Sequence, residues 1–130
     1  MAVVSVANRP NGLISKSKVE VENIIISSAS SQLVGDIWWI PLGEEVTITA
    51  DVNLPDGSLM VMVEKVLNGV EPKDDFRTIA TILNGVMTLK FAFGESGNFK
   101  FRKERLNLGL DNISAEFHLN FKDVEFDVYV

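Results

Sequence analysis

From residue 44 to residue 63 the chain reads EEVTITADVNLPDGSLMVMV, the stretch around which its hydrophobic pattern is organised. Val46, Ile48, Ala50, Val52 and Leu54 fall on every second position, with Thr47, Thr49, Asp51 and Asn53 between them. Period two sends successive side chains to opposite faces of a strand, here one greasy and one polar. Pro55-Asp56-Gly57 breaks the run, because Pro fixes φ and Gly permits φ > 0. Leu59, Met60, Val61, Met62 and Val63 follow, apolar on both faces. The pattern predicts a β-hairpin turning at 55–57, at the heart of an antiparallel sheet.

The same period marks further strands. Residues 18–27 alternate at Val19 and Val21, then thicken into Ile24-Ile25-Ile26, and a small polar loop of serines follows. Residues 33–41 form another strand, containing Trp38-Trp39 and ended by Pro41 and Gly43. Residues 68–75 are polar and charged and read as a loop. Asn84-Gly85 is the preferred two-residue type I′ turn, in which both positions take φ > 0. It sets Leu83 opposite Val86 and Ile82 opposite Met87. Residues directly opposite share a face. Phe76, Thr78, Ala80 and Ile82 therefore join Met87, Leu89, Phe91 and Phe93 on the core side, with Arg77, Thr81, Thr88 and Lys90 pointing away. Phe99 and Phe101 continue at spacing two. The period then changes: Leu106, Leu110 and Ile113 are four and three apart, which suits one face of a short helix between Glu104 and Ile113, although Gly109 weakens it. In the last segment Phe117, Leu119 and Phe121 are odd, whereas Val124, Phe126, Val128 and Val130 are even. A continuous strand changes face only through an extra residue, so a bulge is expected near Lys122-Asp123. About seven short strands with turns between them predict a mainly β fold, an antiparallel β-sandwich with one short helix, and a small β-barrel is the alternative.

Residues 1–17 form an extended N-terminal arm in this reading, leaving 18–130 as the sandwich domain. Val3, Val4, Val6, Leu13 and Ile14 are too few to make an element of their own, and they are expected to be buried against a neighbouring chain. Asn8, Pro10, Asn11 and Gly12 supply turn chemistry between them.

Composition narrows the function. A chain of 130 residues suits one domain. It has no Cys, which excludes a disulfide scaffold, a thiolate metal site and a Cys nucleophile, and its single His, His118, is too little for a triad or a His-based metal site. The net charge is −6 and the isoelectric point about 4.7, opposite to the basic surface a nucleic-acid binder needs. No apolar run approaches the roughly 18 residues of a membrane helix. The opening MAVVSVANRPNG lacks the charged start and apolar core of a signal peptide, so neither export nor membrane insertion is expected. No phosphate-cradling, nucleophile-elbow or zinc-protease motif appears. Glu44-Glu45 cannot act as an acid–base pair, since neighbours on a strand point to opposite faces. The expectation is a protein without catalytic residues, cofactor or metal, and with no evident small-molecule ligand.

Four features could carry function. Trp38 and Trp39 lie on opposite faces of one strand; one must be core, and the other is either covered or free for sugar stacking or a protein contact. Met60 and Met62 make the second face of their strand apolar, where a sandwich is normally wet, and both are expected to be covered in part by another subunit. Lys100, Arg102, Lys103 and Arg105 are the basic cluster, and Asp123, Glu125 and Asp127 a carboxylate stripe; loosely paired solvated faces of adjacent strands are the favoured account of both, with anion binding the alternative. Asp51, Asp56, Glu71, Asp74 and Asp75 lack calcium-loop spacing and read as solvated charge. The expected interface is thus Val3, Val4, Val6, Leu13, Ile14, Trp38, Trp39, Met60 and Met62.

Phe93-Gly94-Glu95-Ser96-Gly97-Asn98-Phe99-Lys100-Phe101 resembles the approach to a late strand in immunoglobulin-like sandwiches. The ending ERLNLGLDNISAEFHLNFKDVEFDVYV is similar to C-terminal segments of small tailed-bacteriophage structural proteins. The resemblance covers about the last third of the chain and implies an immunoglobulin-like fold and a virion component: a tail, baseplate or capsid accessory protein assembled in the host cytoplasm, with copies of itself and other virion proteins as partners. It carries over no site residues. The alternative from the residues is a ligand- or carbohydrate-binding module or adhesin, motivated by Trp38-Trp39.

Overall fold

A computed structural model describes residues 16–130. The expected contacts of Val3, Val4, Val6, Leu13 and Ile14 lie outside the described residues. The chain is mainly β. In order it forms β1 (Ser17–Ser27), β2 (Gln32–Val34), β3 (Ile37–Pro41), β4 (Glu45–Val52), β5 (Gly57–Leu67), β6 (Glu71–Leu83), β7 (Val86–Ala92), β8 (Gly97–Phe101), α1 (Lys103–Asn112), β9 (Phe117–Asn120) and β10 (Val124–Tyr129).

In place of the two facing sheets of the expected sandwich, ten strands form one hydrogen-bonded series, β2-β3-β10-β8-β5-β6-β7-β4-β1-β9. The pairings β1–β9 and β3–β10 are parallel and the others antiparallel. The sheet curls into a half-barrel. Two observations require the curl. Strands β7 and β10 are four spacings apart in the order, about 19 Å if flat, yet the rings of Phe91 and Phe126 lie 6.2 Å apart. Strands β9 and β10 stand seven spacings apart, yet Phe121, Lys122 and Asp123 alone connect them, a link that reaches about 14 Å at most.

The Asn84-Gly85 turn forms as its sequence requires, with φ of 52° and 79°. Leu83 pairs with Val86 and Ile82 with Met87. The face it sets is the core face: Ala80, Ile82, Met87, Leu89 and Phe93 are buried. Asn68-Gly69 builds a second hairpin, also with positive φ at both residues, and joins β5 to β6 across Leu67 and Glu71. The polar residues 71–75, expected as a loop, are therefore strand.

The hairpin expected at 55–57 does not form. Strand β4 pairs with β7 and β1, whereas β5 pairs with β6 and β8. The β6–β7 hairpin lies between them, and the β4–β5 connection passes over its tip. There Asn84 N–H donates to Asp56 Oδ1 (2.9 Å) and Val52 N–H to the Gly85 carbonyl (2.9 Å). The strand expected over 33–41 is likewise a hairpin, β2–β3, turning at Gly35-Asp36 with Gly35 at φ 62°.

The structure contains a parity shift in β1 as well as the one expected near Lys122-Asp123, and the two are resolved differently. In β1 the ladder slips between Glu22 and Ile25, with Asn23 at φ 52°, so Val19, Val21, Ile24 and Ile26 all pack on the core while Ile25 faces out. No bulge forms at Lys122-Asp123; the chain leaves one strand there and joins another. Leu119, Phe126 and Val128 are buried, and Phe121 and Val124 pack beside them.

Helix α1 sits one residue from its expected bounds. Leu106 and Leu110 are buried, but Ile113 is the exposed C-cap and not part of the apolar face. Arg102 is the N-cap and makes no side-chain cap bond. The cap comes from afar: Lys103 N–H donates to Asp123 Oδ1 at 2.8 Å. That carboxylate also faces the positive end of the helix dipole. Asp123→Ala should therefore cost about 0.5–2 kcal/mol, read as a lower thermal midpoint with the native sheet signal retained. Asn107 fastens the helix to the end of the sheet, its amide donating to the Leu119 carbonyl (2.9 Å) and accepting from Leu119 N–H (2.8 Å).

Candidate interaction surface

In β3, alternation places Trp38 and Trp39 on opposite faces. Trp38 lies opposite Phe126 in the parallel pair with β10 and packs against the core. Trp39 points outward, 39% exposed, with its ring 6.4 Å from that of Tyr129 at 49°. Leu42 N–H donates to the Tyr129 carbonyl, which brings a third exposed apolar side chain to this patch.

A second patch lies on the same outer face. Met60 of β5 is directly opposite Ile79 of β6. They are 61% and 53% exposed, while Leu59, Val61 and Val63 face the core. The chain's own elements therefore leave Met60 uncovered. Met62 is half-buried at the edge of a groove of about 350 Å³ between this face and α1, walled also by Arg77, Gly109 and Ile113. Ile79 was missed by sequence reasoning although the signal was present, since it shares parity with Arg77 and Thr81 on the outward side of the Asn84-Gly85 hairpin. Tyr129 and Leu42 had no comparable signal, because their place depends on the parallel β3–β10 pairing.

A polar stripe separates the patches. Lys100 of β8 lies opposite Glu125 of β10. The Asn98 amide donates toward Glu125 Oε2 (2.9 Å), Asp127 Oδ1 (3.0 Å) and the Phe126 carbonyl (3.2 Å). The carboxylate stripe thus meets part of the basic cluster as adjacent strands.

Arg102 and Arg105 pair elsewhere. Past the slip at Val63/Glu64, strands β5 and β6 set Glu64 opposite Asp74 and Lys65 opposite Lys73, like charges that repel. Each takes its counterion from outside the pair or along its own strand. Arg102 forks onto buried Glu64, with Nε–Oε1 at 2.7 Å and the second bond at 3.0 Å. Arg105 forks onto Asp74 at 2.8 and 3.1 Å. Lys65 reaches Glu95 and Lys73 reaches Glu71. Hydrogen bonds from Arg105 hold the Asp74 carboxyl below its ordinary range, and those to Glu64 and Asp74 raise the two guanidiniums further. Asp75 is pushed up, by burial first and then by the charge of Glu95.

His118, expected at the surface, is partly exposed with Nε2 2.8 Å from Asp111 Oδ1. Asp111 also binds Lys16, and these two partners, Lys16 first, hold its carboxyl low. Among the described residues, no three His, Asp or Glu side chains gather as a metal site, and no helix is long and apolar enough to cross a membrane.

No protein-family model, no curated protein and no solved structure matches the chain.

Proposed function

We propose that this chain is a non-enzymatic structural subunit that works through contacts with copies of itself and with other proteins. The observation that carries the reading is the Met60–Ile79 pair, two large apolar side chains directly opposite each other and open on the outer face of the sheet. A wet sheet face is ordinarily polar. Contiguous exposed apolar surface marks contact sites, and Met adapts to irregular partners. The Trp39–Tyr129 patch adds aromatic residues of the kind that anchor interfaces. The resemblance of the last third to tailed-bacteriophage structural proteins makes a virion component, a tail, baseplate or capsid accessory protein, the specific form of the proposal. The arm at 1–17 reaching a neighbouring subunit belongs to it.

The test is Met60→Glu/Ile79→Glu, assayed by light scattering and native mass measurement. Assembly should be lost, because the contact would bury two unpaired charges, while far-ultraviolet circular dichroism stays unchanged since both side chains are exposed in the single chain. Normal assembly of the double variant, or a wild-type chain that stays monomeric at high concentration, would refute the reading.

The exposed Trp39 beside Tyr129 favours a second reading, a carbohydrate-binding module, because such rings stack on sugar faces. Glycan-array binding that Trp39→Ala abolishes would select it over assembly.

A further inference from the structure

The concave side of the half-barrel is incompletely filled. Under α1, and walled by β1, β4, β5, β7, β8, β9 and the start of β10, lies a cavity of about 40 Å³. Every residue lining it is apolar, from Ala50 and Met87 at the sheet to Leu106 on the helix and Leu119 on β9. One water needs about 10–15 Å³ of such space, so there is room for roughly three, but a buried water also needs two to four polar partners. The wall offers none, so water could be held only from the open side, and a site so lined favours apolar guests. Four of its lining residues, Val21, Ile24, Phe121 and Val124, are only half-buried. They place the way in at the seam where β1 meets the three-residue β9–β10 connection. The void follows from the topology. β10 pairs with β3 and β8 while β9 stays with β1, so no ladder closes the sheet over this point and a single turn of helix covers it instead.

We propose that this cavity is a binding site for one small, uncharged, apolar guest, entering at the seam beside Phe121. Its size admits a body of one to a few heavy atoms. An engineered cavity of about 150 Å³ is what benzene occupies. Charged and hydrogen-bonding ligands are excluded, since nothing in the wall could replace their water. The site is independent of the outer-face patches, and its occupancy needs no second chain.

Xenon is the probe. Methyl-resolved NMR spectra of the full chain are recorded under increasing xenon pressure. Shifts at Ala50, Met87, Leu106 and Leu119 should saturate, while exposed Met60 and Leu108 should drift linearly and less. Ala50→Leu, which fills the floor, should abolish the saturating component in a folded protein. If Ala50→Leu does not fold, Leu106→Ala takes its place, and the larger cavity should saturate at lower pressure. Linear shifts that do not distinguish cavity from surface methyls in the wild type overturn the proposal. So do saturating shifts that survive unchanged in folded Ala50→Leu, or a long-lived water detected against the Ala50 methyl.

Discussion

Phe93→Ala is expected to cost about 3–5 kcal/mol, the range for removing a fully buried aromatic ring, a third or more of the whole stability of many domains. Phe93 is 1% exposed, one residue beyond the end of β7. Its ring is the hub of a cluster, with centroids 5.2 Å from Phe91, 4.6 Å from Phe99, 5.7 Å from Phe76 and 5.3 Å from Phe126. These four come from β7, β8, β6 and β10. The ring therefore joins strands that the hydrogen-bond order keeps apart, and it stabilises the curl of the sheet rather than one ladder. Little can collapse into the gap, because the neighbours are aromatic and held by their own strands. Its backbone carbonyl also accepts from Gly43 N–H (3.2 Å), and that contact survives the substitution. Urea unfolding at neutral pH should show a lower midpoint with an unchanged slope. Phe91→Ala should cost less, because Phe91 is only half-buried. A loss below about 1 kcal/mol for Phe93→Ala, against the expected range, would mean that the ring cluster does not carry the curl.

The residues that make this core were legible because alternation is a local property. Val46, Ile48, Ala50 and Val52 share a face by spacing alone, and so do Phe76, Thr78, Ala80 and Ile82. The turn chemistry of Asn84-Gly85 was equally local and carried its register with it. Partners were not legible. A turn at Pro55-Asp56-Gly57 looks the same whether it closes a hairpin or crosses the tip of another, and what decides is the fit of β5 along the full length of β6. The parallel pairs were beyond reach for the same reason, since Lys18 meets His118 across most of the chain. The parity shift at Lys122-Asp123 showed that something must change there. A bulge and a departure to a different strand both satisfy it, and only the second serves a sheet that curls until β9 lies within reach of β10.

The candidate surface divides in the same way. That Met60 and Met62 face away from the core followed from period two. That Met60 stays exposed while Met62 is half-buried, although both line the groove beside α1, depends on where the helix lands, which no spacing states. The basic cluster shows the limit most clearly. Lys100 meets Glu125, as adjacency of the last strands suggests, but Arg102 and Arg105 reach back to Glu64 and Asp74 on β5 and β6. Those two carboxylates face each other only because the strands slip at Val63/Glu64.

Arg102→Ala should be the most damaging charge removal in the chain. Glu64 is 3% exposed, and both its oxygens are held by the Arg102 fork. Its cross-strand neighbour is Asp74, another carboxylate. Taking Arg102 away leaves a buried negative charge unpaired, which costs about 3–5 kcal/mol where it has been measured. Arg102 itself is partly exposed, so water can soften the loss and the lower end is expected. Arg102→Lys keeps a charge but not the planar fork, and should fall between. Replacing both partners, Glu64→Leu with Arg102→Met, removes the buried charge altogether and should be close to neutral. The pH dependence separates this from simple loss of packing. In the wild type the Asp74 carboxyl is held low by Arg105. Its contribution is present above the ordinary carboxylate range and is lost as pH falls through the lowered value. In Arg102→Ala the buried unpaired carboxylate favours its protonated form, so the deficit against the wild type should shrink as pH falls from 7 toward 4. Thermal melts of the four proteins across that interval provide the measurement. A deficit that stays constant with pH would show that Arg102 acts through its aliphatic stem. A single substitution no worse than the double one would show that Glu64 finds another partner.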